Sequence, residues 1–231
     1  MLEPLKKIPK EQEQHNLGRE VSMVFAVQLL IIWSLVRVDI TFGLGGVLHA
    51  LVGMVFIFLP VFVLDRWGKP YARYGLYFAN PLPELSWTVA AMLIAFVPIF
   101  FVAPYVWGVD GQTWSLNWPK GYPEIALAHL VIVALPEEFF YRGYLMGRLD
   151  DLWHKRTRLL GADVGWSLPV QAILFALGHF LIDFNPARLA VFFPALAFGW
   201  LKARRKNLVA PVLFHAASNI FMDIFRSGLG L

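Results

Sequence analysis

Six consecutive residues, Glu137-Glu138-Phe139-Phe140-Tyr141-Arg142, put three formal charges inside an otherwise apolar run over residues 125–146. An ionised side chain at the centre of a bilayer costs roughly 3 kcal/mol or more, so such residues are rare and usually functional. A fold that keeps all three must give them partners within the protein. Helical geometry supplies the first partner: residues four apart share a face, so Glu138 and Arg142 pair one turn apart, with the acid on the favourable N-terminal side. Glu137 sits about 100° further round the helix and faces something else. One carboxylate is thus read as structural and the other as available for chemistry.

A membrane environment follows from what surrounds the run. Of the 231 residues, 58% are hydrophobic and 16% charged, where a soluble domain carries about 25% charge. A span needs roughly 20 mostly apolar residues, which places spans near 21–38, 44–64, 85–106, 122–149, 165–182, 187–201 and 208–225. The expected fold is all-α: a polytopic transmembrane helical bundle of about seven spans, with a four-helix catalytic core in the C-terminal half. Residues 1–20 are read as a cytoplasmic N-terminal segment, 21–121 as N-terminal transmembrane helices and loops, and 122–231 as the core.

The basic residues test that layout. Of the twenty Lys and Arg, fifteen fall in the N-terminal segment and alternate loops, four on the other side, and Arg142 lies within the membrane. Rich and poor sides alternate without exception, so the positive-inside rule puts the N-terminus in the cytoplasm and the C-terminus outside. Small size and this topology suit a prokaryotic plasma membrane. The net charge of +4 then belongs to orientation and to the lipid bilayer, and nucleic acid is excluded as a partner. Cysteine is absent, which rules out disulfides, thiol catalysis and Cys-type zinc sites. Trp107, Trp114, Trp118 and Tyr122 make the loop before the fourth span an interfacial belt or re-entrant segment, with substrate gating the sharper alternative.

Polar side chains recur in three late spans. The fourth supplies Glu137, Glu138 and Arg142, the fifth His179, and the seventh His215 and Asn219, one turn apart on one face. Small residues around them (Gly143, Gly178, Ala216, Ala217, Ser218) permit close helix approach. A free carboxylate, two imidazoles and a carboxamide converging in a partly dry cavity suit amide hydrolysis. The carboxylate takes a proton from water as it attacks the carbonyl, and His and Asn donate to the developing oxyanion. Ser218 lacks a base partner, which argues against a serine mechanism. His49 and His129 are read as satisfied core histidines, and Asp183, Asp223 and Arg226 as interfacial.

These residues resemble the CPBP family, the CAAX prenyl proteases and bacteriocin-processing enzymes also called the Abi family. Its Glu-Glu-x-x-x-Arg, Phe-x-x-x-His and His-x-x-x-Asn motifs match Glu137-Glu138 with Arg142, Phe175 with His179, and His215 with Asn219. The lead-ins Ala197-Phe198-Gly199-Trp200-Leu201 and Ala210-Pro211-Val212-Leu213-Phe214 also resemble the family. The resemblance implies an intramembrane glutamic endopeptidase acting on a membrane-associated peptide or protein, with three substrate classes open: a prenylated tail, a bacteriocin leader or a sorting-signal tail. In it Glu137, assisted by His179, activates water, His215 and Asn219 form the oxyanion hole, and Arg142 orients the glutamates. No cofactor is expected; the alternative is zinc on Glu137, His179 and His215, a two-His-one-carboxylate set with an open position. Two further readings of the same core are a non-catalytic binding or immunity protein and an ion transporter using Glu137 as a relay.

Overall fold

The computed structural model describes residues 10–42, 45–77, 79–109, 111–118 and 121–231. Among these residues there are seven helices: α1 Lys10–Phe42, α2 Gly46–Arg66, α3 Pro81–Val106, α4 over 122–152, α5 Ser167–Asp183, α6 Phe192–Arg205 and α7 Val209–Gly228. The chain is an all-α helical bundle and an integral membrane protein. Three helices, α1, α2 and α3, carry stretches long and apolar enough to cross a bilayer. At 17 and 14 residues, α5 and α6 reach about 26 and 21 Å, short of the roughly 30 Å hydrocarbon core.

Each expected span has a helix beneath it, and the differences have local causes. Among the described residues α1 already runs from Lys10, ahead of the expected start near Val21, because its polar first turns still favour helix once they stand in water. α6 begins at Phe192 rather than Ala187 because Pro186–Val191 forms a 3-10 turn, whose Ala187 N–H donates to the Asn185 side chain at 3.0 Å. The loop after α4 folds into a hairpin, β1 Thr157–Leu159 against β2 Ala162–Val164, with Leu160 and Gly161 at positive φ in the turn. Lys6, Lys7 and Lys120 of the orientation pattern, and the expected start of the second span at Leu44, lie outside the described residues.

α4 is the axis of the molecule. Every residue over 140–149 is buried, and a helix buried all round belongs at the centre of a bundle. α1 and α2 cover one side of it through Val21, Val24, Ile32, Phe56, Val63 and Leu64. α7 packs on another side and carries α3 on its outer face, where Phe96 stacks on Phe221 at 4.4 Å between ring centres. Glycine sets the closest approaches: a methyl group on Gly143 would stand 2.6 Å from a Leu76 carbon, and one on Gly178 would stand 2.7 Å from the Tyr141 hydroxyl. Such small-residue contacts substitute for a hydrophobic drive that lipid does not provide.

α4 is not a uniform α-helix. Two wide-turn π segments, His129–Ala134 and Phe139–Leu145, flank the α-helical Leu135–Glu138. Pro136 supplies a reason for the first: it has no N–H and its ring crowds the preceding turn, and widening that turn relieves the clash. Widened turns recur at functional sites because they re-aim side chains, and here both glutamates sit between the two.

Candidate active site

The buried ion pair comes first. Glu138 and Arg142 side chains are fully buried, and Arg142 Nη1 donates to Glu138 Oε1 at 2.6 Å. Two charges taken out of water need further partners to stay there. The guanidinium has them: its carbon stands 4.4 Å from the Phe175 ring centre and 4.9 Å from that of Phe198, a cation between two aromatic faces. Nη2 also reaches Ala195 O at 3.4 Å, a carbonyl that Gln171 holds from its other side at 3.1 Å.

Glu138 Oε1 accepts a second hydrogen bond, from His215 Nδ1 at 2.8 Å. An ionised carboxylate only accepts, so the proton is on Nδ1 and Nε2 points away from Glu138. The ring is fixed further by stacking on Phe198, 4.8 Å between centres and 13° apart. His179 is held in the same tautomer by different means: its Nδ1 donates to Phe175 O at 3.0 Å, and its ring packs on that residue's ring at 4.4 Å.

Both Nε2 atoms then face Glu137. Glu137 Oε2 is 4.0 Å from His179 Nε2 and 3.9 Å from His215 Nε2, and it is buried without a hydrogen-bond partner. These gaps are too long for direct hydrogen bonds and of the length that a bridging water spans. The described residues contain no group of three or more His, Cys, Asp or Glu side chains arranged to hold a metal. Tetrahedral zinc would bring ligand atoms to about 3.3 Å from one another, closer than Glu137 stands to either imidazole.

The expected residues therefore divide. Glu137, Glu138, Arg142, His179 and His215 come together, the pairing of Glu138 with Arg142 as spacing required. Asn219 lies one turn beyond His215 on α7, half-buried, its side chain without a hydrogen bond among the described residues. Ser218 donates to Phe214 O at 2.8 Å, an ordinary backbone contact. Phe175, which its sequence context marks as packing, cradles Arg142 and touches both imidazoles. Phe198 falls in a lead-in that resembles the family, but nothing in the sequence gives its contacts, and no sequence signal marks Gln171 or the Ala195 carbonyl, since helical spacing names faces within one helix and not partners across three.

Residues 120–221 match the family model for Rce1-like proteins, described as type II CAAX prenyl endopeptidase Rce1-like. The match contains all three motifs. Neither the curated proteins nor the solved structures give a significant match.

Proposed function

Starting from a chain whose segment 120–221 belongs to the CAAX protease (CPBP) family, we propose that Glu137 is the base of a glutamic intramembrane endopeptidase. The observation that carries this is the isolated, buried Glu137 Oε2 facing two imidazoles of fixed tautomer. Water beside Glu137 gives its proton to the carboxylate as its oxygen attacks the peptide carbonyl. His179 Nε2 accepts the water's other hydrogen and aims its lone pair. His215 donates to the oxyanion once its Nε2 carries a proton in addition to the one on Nδ1, and the Asn219 amide donates beside it. Collapse of the tetrahedral intermediate breaks the C–N bond, and protonated Glu137 returns its proton to the departing amine. Glu138 and Arg142 hold His215 in place and touch no reacting atom.

The substrate that suits a site embedded among helices is a membrane-associated peptide, with the N-terminus of the enzyme in the cytoplasm and a prokaryotic plasma membrane around it. Replacing Glu137 with Gln keeps size and packing while removing the base, so cleavage should fall by about 10³-fold or more in protein that remains folded in the membrane. Peptides that accumulate in membranes carrying Glu137→Gln, read by mass spectrometry, identify the substrate class. Retained cleavage in that variant overturns the assignment.

One observation favours a second reading. Both imidazoles carry their proton on Nδ1, held by a carbonyl or a carboxylate, which is how zinc-ligating histidines are oriented. A zinc enzyme requires Glu137, His179 and His215 to draw together, and stoichiometric metal in purified protein with chelator-sensitive turnover would establish it.

A further inference from the structure

The seam between α4 and α7 carries a second acid–imidazole contact that none of the motifs contains. His129 Nε2 and Asp223 Oδ2 are 2.7 Å apart. On α4, His129 precedes Glu137 by the same number of residues as Asp223 follows His215 on α7. The helices run antiparallel, so the two contacts stand at opposite ends of one stretch of seam, about 12 Å apart. Their polarity is reversed: α4 gives the acid and α7 the imidazole at the site, while α4 gives the imidazole and α7 the acid at the far end.

The apolar contacts of this seam, Leu130 and Ala134 of α4 against Ala216 of α7, are non-directional and cannot set register by themselves. The directional contacts beyond the site are the His129–Asp223 pair and, at the start of α4, the Tyr122 hydroxyl donating to Ile220 O at 2.9 Å. The wide-turn segment His129–Ala134 also lies in this interval, directly before Leu135–Glu138, which carries both glutamates. Any slide of α7, or any tightening of that segment to regular α-helix, would move Glu137 relative to the imidazoles. A displacement of 1 Å can cost about 100-fold in rate.

We propose that His129 and Asp223 are a positioning pair. By hydrogen-bonding across the far end of the seam, beside the Tyr122–Ile220 bond, they fix the register of α4 on α7 next to the wide turn and hold that turn open, aiming Glu137 at His179 and His215. They act through Glu137 and touch no substrate. The inference rests on Glu137 being the base.

Three proteins test it: the native chain, the apolar pair His129→Leu with Asp223→Leu, and the exchanged pair His129→Asp with Asp223→His. Each is purified whole in nanodiscs and assayed on a fluorescence-quenched farnesylated CAAX peptide, or on the peptide that accumulates with Glu137→Gln. The apolar pair should lower kcat by at least tenfold with KM and Tm held, since leucines preserve the packing. The exchanged pair should recover kcat to within about threefold of native. Native kcat in the apolar pair overturns the proposal, as does a kcat loss matched by a fall in Tm and not rescued by exchange. Amide hydrogen exchange over 129–138 gives a readout without substrate: faster in the apolar pair and restored in the exchanged one, with unchanged exchange overturning the proposal. Absence of cleavage by the native chain would instead remove the protease reading and leave the exchange result to decide the clamp.

Discussion

Among the described residues of α3 only Glu84, Thr88 and Ala103 are buried, whereas every residue of α4 over 140–149 is, Arg142 and Arg148 included. The N-terminal helices turn apolar side chains outward, among them Ile94, Phe101 and Val106, and make ionic contacts near helix ends. Glu20 of α1 accepts from Arg148 near the end of α4, and Glu84 at the start of α3 accepts from Arg205 at the end of α6 and from Asn207 in the connection to α7. The core does the reverse and places its charges in the middle. A long apolar helix thus reports contact with lipid, and a buried charge reports contact with protein. The two halves tolerate change for opposite reasons: lipid adapts to a new side chain, while a paired charge inside protein has no substitute for its partner.

The harshest test of that contrast is Arg142→Leu. It strands Glu138 in a site closed to solvent, and removing one member of a buried pair costs about 3–5 kcal/mol. Equilibrium unfolding in mixed micelles should show a loss of that size, together with loss of cleavage because His215 loses its anchored partner. Adding Glu138→Leu should restore most of the stability and none of the activity, since an apolar pair of similar volume often replaces a buried ion pair at little cost. If the double variant remains as unstable as the single, the pair does more than neutralise itself and the contrast loses its physical basis.

The same contrast separates what is legible in the sequence from what is not. Spans are legible because about 20 apolar residues in a row have few other homes, and the alternation of Lys and Arg checks them. The pairing of Glu138 with Arg142 is legible because both lie on one helix. The second bond of Glu138, to His215, is not, because it joins residues 77 apart in the chain through the packing of α4 on α7. Pro136 alone foreshadows the wide turns of α4, and it marks a disturbance without giving its form. His129 and Asp223, a core residue and an interfacial one by their sequence context, are each other's partner. What is local in sequence is readable, and what depends on two helices meeting is not.

A middle-sized effect belongs to the contacts that tie the two halves together. Arg205 donates to both oxygens of Glu84 at 2.8 Å, and Asn207 adds a third bond at 3.1 Å. Glu84→Gln keeps the shape and removes the charge. The loss should be about 1.5–3 kcal/mol, the range for a hydrogen bond to a charged group, measured by the same unfolding. Catalytic constants should stay near native, because Glu84 bonds Arg205 and Asn207 and none of the clustered site residues. A large fall in kcat with this variant would mean that the N-terminal helices are part of the catalytic apparatus and not its surround.

The smallest effect is the sharpest check on what α3 faces. Ile94 is 77% exposed at the protein surface, so in a bilayer its neighbours are lipid chains. Ile94→Leu exchanges one branched hydrocarbon for another of equal volume, and acyl chains rearrange around either. The expected change in unfolding free energy is within about 0.5 kcal/mol, with no change in cleavage. A cost above roughly 1.5 kcal/mol, as for reshaping a close-packed core, would show that protein and not lipid covers this face. α3 would then belong with α4, and the division of the molecule into a lipid-facing half and a charge-holding half would fail at its clearest example.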